Sequence, residues 1–105
     1  MFKKATIQLT ETMLNKSIID ANKTVCEFAE QFDFNYNEAD AGERFELIGK
    51  HKDNTKCKVS FYKSKGRGDK RISIAGLKKI AKAGDTVILT KPIGSPSWQV
   101  SVRIK

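Results

Sequence analysis

The chain has 105 residues, 39% of them hydrophobic and 30% charged, and a net charge of +8. That length suits one ordinary hydrophobic core, and apolar residues spread along the whole chain exclude wholesale disorder, so one domain over residues 1–105 is expected. Two distant cysteines, Cys26 and Cys57, and a single histidine, His51, exclude a disulfide framework and a zinc site.

Ala5, Ile7 and Leu9 alternate with Thr6 and Gln8, the period of a strand with one buried face. Glu11 to Lys16 interrupts that pattern with polar side chains and reads as an exposed loop ahead of the apolar pair Ile18-Ile19. Asn22 suits an N-cap, and Val25, Phe28, Ala29 and Phe32 follow at i, i+3, i+4 and i+7, which predicts a helix over residues 23–32 with Cys26 buried on its apolar side. Asp33 to Gly42 reads as a connecting loop pinned by Phe34 and Tyr36. Phe45, Leu47 and Gly49 share one face of a second strand, Asp53-Asn54 marks a turn, and Val59 with Phe61 resumes the alternation on a third.

Gly66 and Gly68 permit a tight reversal before Ile72-Ser73-Ile74 begins the return strand. Leu77, Ile80 and Ala81 then follow at helical spacing, with Lys78, Lys79 and Lys82 on the other face and Gly84 placed to end a two-turn helix. Thr86 to Thr90 suits a strand buried on both faces. Beyond a turn at Pro92, Gly94 and Pro96, the alternation of Trp98, Val100, Val102 and Ile104 predicts a last strand with Trp98 in the core. About seven short strands and two short helices favour a small barrel, because curling removes open edges; a twisted open α+β sheet is the alternative.

The charge is unevenly placed. Residues 50 to 82 hold twelve Lys or Arg against Asp53 and Asp69, whereas residues 20 to 46 hold eight acids against two bases. The densest stretch, Lys63-Ser-Lys-Gly-Arg-Gly-Asp-Lys-Arg71, joins two strands, so one end of the molecule is expected to be positive and to attract polyanions. The acids of 20 to 46 are expected on a solvated helix face and loop that keep nucleic acid off that side.

Five segments in order resemble a known family: Leu14-Asn-Lys-Ser-Ile-Ile19, the helix ending Phe28-Ala-Glu-Gln-Phe32, Val59-Ser-Phe-Tyr-Lys63, Arg71-Ile-Ser-Ile74, and Ala83-Gly-Asp-Thr-Val-Ile-Leu89. Together they are similar to the DNA-binding pseudobarrel shared by plant B-three transcription-factor domains and by recognition domains of restriction enzymes such as EcoRII and BfiI. The resemblance implies a mainly β fold with two short helices in a seven-stranded open pseudobarrel, and two arms that grip the major groove of double-stranded DNA. The first arm would be the loop of Glu11, Thr12, Asn15, Lys16 and Ser17, the second the hairpin tip from Lys63 to Arg71. The polar stretch 33–44 is longer than that pattern leads one to expect. Lys, Ile and Asn usage has a bacterial look, which favours a restriction-system recognition module, with recognition subunits of the McrB-like LlaJI type as one setting. Further domains or subunits of such a complex would then be partners, and the isolated domain would be monomeric.

Arg67 and Arg71 are the candidates for base reading, because a guanidinium can donate twice to guanine O6 and N7. Asn15 could pair with adenine or simply form a turn. Lys16, Lys63, Lys65 and Lys70, with the hydroxyls of Thr12 and Ser64, would hold phosphates and set register. Asp69 would orient a neighbouring Arg or accept from cytosine N4. Tyr62, on the face opposite Phe61, could touch DNA, and Lys78, Lys79 and Lys82 are as well explained by a solvated face.

No Walker pattern occurs, since Gly66-Arg-Gly68 lacks the spacing and the Lys-Ser/Thr ending. Asp40, Glu43 and Glu46 cluster without the lysine two residues on that a metal-dependent nuclease would want. The expectation is therefore a binding module without catalytic residues, metal or cofactor, located in the cytoplasm: Met1-Phe-Lys-Lys-Ala-Thr-Ile-Gln-Leu9 lacks a signal peptide's apolar run, and no stretch reaches the ~20 apolar residues of a membrane span. Two other readings remain: a small RNA-binding barrel, for which few aromatics beyond Tyr36 and Tyr62 are available, and a module whose basic hairpin docks an acidic protein.

Overall fold

Side chains that alternate along the chain turn to the two faces of one curled sheet. In the computed structural model, which describes residues 4–94 and 96–105, the strands are β1 (Lys4–Gln8), β2 (Ile19–Asp20), β3 (Arg44–Lys50), β4 (Lys56–Lys63), β5 (Lys70–Ile74), β6 (Thr86–Thr90) and β7 (Gln99–Ile104). Three short helices accompany them: α1 (Glu11–Lys16), α2 (Lys23–Ala29), which runs into a 3-10 turn at Glu30–Phe32, and α3 (Leu77–Ile80). The N-terminal residues 1–3 and Ser95, in the turn between the last two strands, lie outside the described residues.

The strand order is β1-β6-β7-β3-β4-β5-β2. Every pair is antiparallel except β3 with β7, which runs parallel from Ile48↔Gln99 to Lys50↔Ser101. The sheet is an open half-barrel whose edges, β1 and β2, are the first two strands in the chain. The expected mainly β, seven-stranded open pseudobarrel is therefore present, with one helix more than expected. Among the described residues no helix is long and apolar enough to cross a membrane.

Ala5, Ile7, Leu47, Val59, Phe61, Ile72, Val87, Leu89, Val100 and Val102 point into the hollow of the sheet, where Val25, Phe28 and Ala29 of α2 and Phe32 fill it. Burying each large apolar side chain stabilises the fold by about 1.5–3 kcal/mol. Phe34 and Tyr36 are buried as well, so the loop over residues 33–43 is pinned as their aromaticity suggested. The free edge of β1 is covered: Thr6 N donates to Thr24 Oγ1 at 3.0 Å, and Thr6 O accepts from Asn22 Nδ2 at 2.9 Å. The start of α2 thus satisfies polar groups that an edge strand would otherwise offer to another chain.

Several expectations need correction. Residues 11–16 form α1, not a loop, because Thr10 caps it by accepting from Met13 N at 3.2 Å, while Met13 and Leu14 pack against the core. Polar composition hid a capped helical turn. Helix α3 stops after one turn at Ala81, which is extended. Gly84 (φ 95) instead turns the chain into β6 while its N–H donates to Leu9 O at 2.9 Å, and Asp85 braces that turn by accepting from Lys82 N. Ile80 is consequently 50% exposed. Strand β6 buries Val87 and Leu89 but only half-buries Ile88, so it is covered on one face. Cys26 is half-buried, its thiol donating to Ala21 O at 3.6 Å, and burial pushes its pKa up. Trp98 is 57% exposed: it precedes the first residue of β7 and lies beyond the core's rim, lining an open cleft with Ile48, Cys57 and Lys56.

The curl requires a close approach at Gly49. A Cβ there would come within 2.8 Å of Val59 and Val102 methyls and 2.9 Å of Cys57 Sγ. We expect Gly49→Ala to destabilise the protein by about 1–3 kcal/mol through overpacking, measured by urea unfolding; an unchanged midpoint would show that the sheet does not depend on this contact.

Candidate nucleic-acid interface

The connection between β4 and β5 is closed by its own hydrogen bonds. Ser64 N donates to Asp69 O at 2.9 Å, Asp69 N donates to Ser64 Oγ at 2.9 Å, and Gly68 N donates to Ser64 O at 3.1 Å. Gly68 adopts φ 69, where a glycine is needed, whereas Gly66 has no positive φ. The result is a braced tip on which Lys65 and Arg67 are exposed, and neither enters an ion pair among the described residues.

The other cations of this hairpin face the protein itself. Lys63 Nζ donates to Ala39 O at 2.9 Å and Lys70 Nζ to Asn37 Oδ1 at 2.6 Å. Arg71, with only 23% of its side chain exposed, donates through Nη2 to Asp69 Oδ2 at 3.1 Å, and its Nε lies 3.9 Å from Asp20 Oδ1. Asp69 therefore orients a neighbouring arginine, one of the two roles its position suggested. The loop over residues 33–43 lies against the base of the hairpin: Gly42 N donates to Lys63 O, Lys63 N donates to Glu43 O, and the Lys65 stem would be 3.3 Å from a Cβ on Gly42. Acids read as a separate flank are thus brought beside the basic segment, so the charge blocks of the sequence are not two ends of the molecule. Glu43 also accepts from Asp40 N within that loop.

Register places Arg44, Tyr62, Arg71 and Asp20 in one row across β3, β4, β5 and β2, on the outward face of the sheet. The Arg44 guanidinium lies 4.5 Å from the Tyr62 ring centroid, a cation–π contact that holds both side chains. Lys58 pairs with Glu46 at 3.0 Å on the same face. Arg44 was not singled out in the sequence; alternation places it outward, but only the register with β4 reveals its partner.

Of the first arm, Thr12, Asn15 and Lys16 are exposed on α1, and exposed Ser17 ends it in a left-handed conformation (φ 54). Strand β2 then pairs with β5 through Ile19↔Ile72 and Asp20↔Arg71, and Ala21 N donates to Lys70 O. The two arms are stitched along one strand, α1 toward the Ile74 end and the tip at the Lys70 end. Helices α1 and α3 are in contact, so Lys78 and Lys79, both exposed, flank the first arm.

A scan against protein-family models finds no match for this chain. A search of curated proteins finds none either.

Tyr36 ties the loop to the hairpin base by donating its hydroxyl to Arg71 O at 2.7 Å. Burial, with lesser contributions from Cys26 and Tyr62, pushes its pKa far above the ordinary value of 10.0. The unfolded chain releases this proton first, so its contribution is complete below pH ~10 and declines as pH rises above that value. We expect Tyr36→Phe to be less stable by about 0.5–1.5 kcal/mol at neutral pH and to lose less stability between pH 9 and 12 than the parent, read by denaturant unfolding at each pH; parallel pH curves would refute the buried phenol.

Proposed function

We propose that this chain binds double-stranded DNA, inserting the Lys65–Arg67 tip into the major groove while Thr12, Asn15 and Lys16 of α1 engage the same duplex. The observation that carries this reading is the braced hairpin tip, which presents two cations without an ion pair among the described residues, on a connection held by three internal hydrogen bonds. Spacing supports it: at ~3.3 Å per residue along β5, the two arms lie roughly 15 Å apart, comparable with a major groove about 12 Å wide. Arg67 is the base-reading candidate, with Asn15 as a second. Lys65 and Lys16 meet phosphates, and Ser64, Asp69 and Arg71 hold the tip in shape. Lys63 and Lys70 anchor the tip to the loop over residues 33–43.

The resemblance to B-three-like recognition domains gives this binding a setting: target recognition in a bacterial restriction system, with nuclease or motor activity in other regions or subunits. The reading assigns no catalysis to this chain. Two arms on one edge of an open half-barrel suit that role.

Selection from a random duplex pool, with matched single strands, RNA and an acidic polypeptide as competitors, tests the reading. We expect one short duplex motif to be enriched. On it, Arg67→Ala should cost about 1–3 kcal/mol and relax specificity at one position, whereas Lys65→Ala should weaken all duplexes alike and flatten the salt slope by about one unit. Equal losses on every sequence for both variants would remove base reading from Arg67. Tighter binding to RNA or to the acidic polypeptide than to any duplex would reject DNA as the ligand.

A further inference from the structure

At the end of β4 opposite the hairpin tip, a concavity of about 450 Å³ opens on the outward face of the sheet. Lys50, His51, Lys52, Gln99, Ser101 and Arg103 line it, and no carboxylate does among the described residues. We propose that this is a phosphate-binding site. Its size falls within the range of small-ligand pockets, and its chemistry is that of an anion site: permanent cations, a hydroxyl and a carboxamide.

The arginine is held in place. Arg103 Nη1 donates to Lys50 O at 3.3 Å and to Val102 O at 3.0 Å. Those carbonyls fix the guanidinium while Nε and Nη2 remain to donate, and a planar fork held this way suits a phosphate. Parallel pairing of β3 with β7 puts Lys50 opposite Ser101 and Ile48 opposite Gln99, so ligand groups from two strands distant in sequence share one face. The acid of the neighbouring turn, Asp53, accepts from Thr55 N at 3.0 Å and Thr55 Oγ1 at 2.6 Å; these bonds keep it in the turn and hold its carboxyl below its ordinary value. Cations gathered in a concavity repel one another, and a bound anion relieves that repulsion.

The phosphate could belong to a free nucleotide or to the backbone of a duplex whose other end meets the hairpin. Strand β4 separates the two places by roughly 25 Å, about seven base pairs at ~3.4 Å each. The site does not depend on the hairpin reading.

Titration with inorganic pyrophosphate, followed by amide NMR, tests it. We expect saturable shifts confined to residues 50–52 and 99–103, weakened about tenfold by Arg103→Gln and about threefold by Lys52→Gln. Lys52 is exposed, so its variant keeps the test valid if the arginine variant does not fold. Absence of saturation, or shifts unchanged in the folded variants, overturns the proposal. The source is separated by three further ligands: a nucleoside triphosphate, a loop-closed stem of about six base pairs, roughly 20 Å long, and one of about sixteen. Loss of affinity in Lys52→Gln for the long duplex alone identifies backbone phosphate; tighter triphosphate than pyrophosphate binding, with duplex affinity unchanged, identifies a nucleotide. Failure of the hairpin reading would appear separately, as duplex binding indifferent to Lys65→Ala and Arg67→Ala while the pyrophosphate response persists.

Discussion

Four aromatic rings converge on Phe61, and the rest of the molecule is arranged by that convergence. Phe28 and Phe32 approach it from α2 and the following turn, at 6.3 and 6.1 Å between centroids, and Phe34 and Tyr36 from the next loop, at 6.2 and 6.4 Å. Phe61 belongs to β4, a central strand of the half-barrel. The cluster therefore packs the helix into the hollow, brings a long polar loop over its end, and through Tyr36 ties that loop to the backbone of β5. Phe28 and Tyr36 meet Phe61 edge-to-face and Phe34 stacks on it, and aromatic pairs in such arrangements add about 0.5–1.5 kcal/mol each beyond area burial. A basic hairpin without such support would have a mobile base; here both strands leading to the tip are fixed.

The same packing redistributes charge. The acid-rich segment and the basic hairpin are separate blocks in sequence, yet the aromatic anchors of the first lay it against the second. Lysines 63 and 70 then find a backbone carbonyl and an asparagine within reach, and Arg71 finds Asp69 and Asp20. Contacts of this kind, two to neutral oxygens and two to partly exposed carboxylates, stabilise modestly, on the order of 1 kcal/mol each. Their structural effect is larger than their energy, because they determine which cations remain to meet a ligand.

Legibility followed the range of the interactions involved. Alternation along single strands showed which residues face inward, and the i, i+3, i+4, i+7 spacing from Val25 to Phe32 showed α2, since each depends only on neighbours in the chain. Helix α1 was missed because its cap, Thr10, sits in a polar stretch whose apolar pair, Met13 and Leu14, is too short to show a period. Trp98 was misplaced because alternation does not say where a strand leaves the core. Parallel pairing of β3 with β7 joins segments about fifty residues apart, and no local pattern encodes it; the concavity around Arg103 was invisible for that reason. Partners of Lys63 and Lys70 lie in the loop over residues 33–43, 24 and 33 residues away in sequence and also beyond any local pattern.

Comparison of Arg67 with Arg71 shows where sequence discrimination could arise on the tip. A well-formed bidentate contact with a base discriminates by about 1–3 kcal/mol. Arg71 would first have to leave Asp69 and Asp20, and the carboxylates left behind would sit near backbone phosphates, where like charge is unfavourable. Arg67 would give up only side-chain freedom, up to ~2 kcal/mol for an unconstrained arginine. Bracing of residues 64–69 reduces the accompanying backbone cost, which otherwise runs to about 1–2 kcal/mol for each residue ordered. The residue held by the protein shapes the tip, and the residue left free on it is the one that can gain from a base.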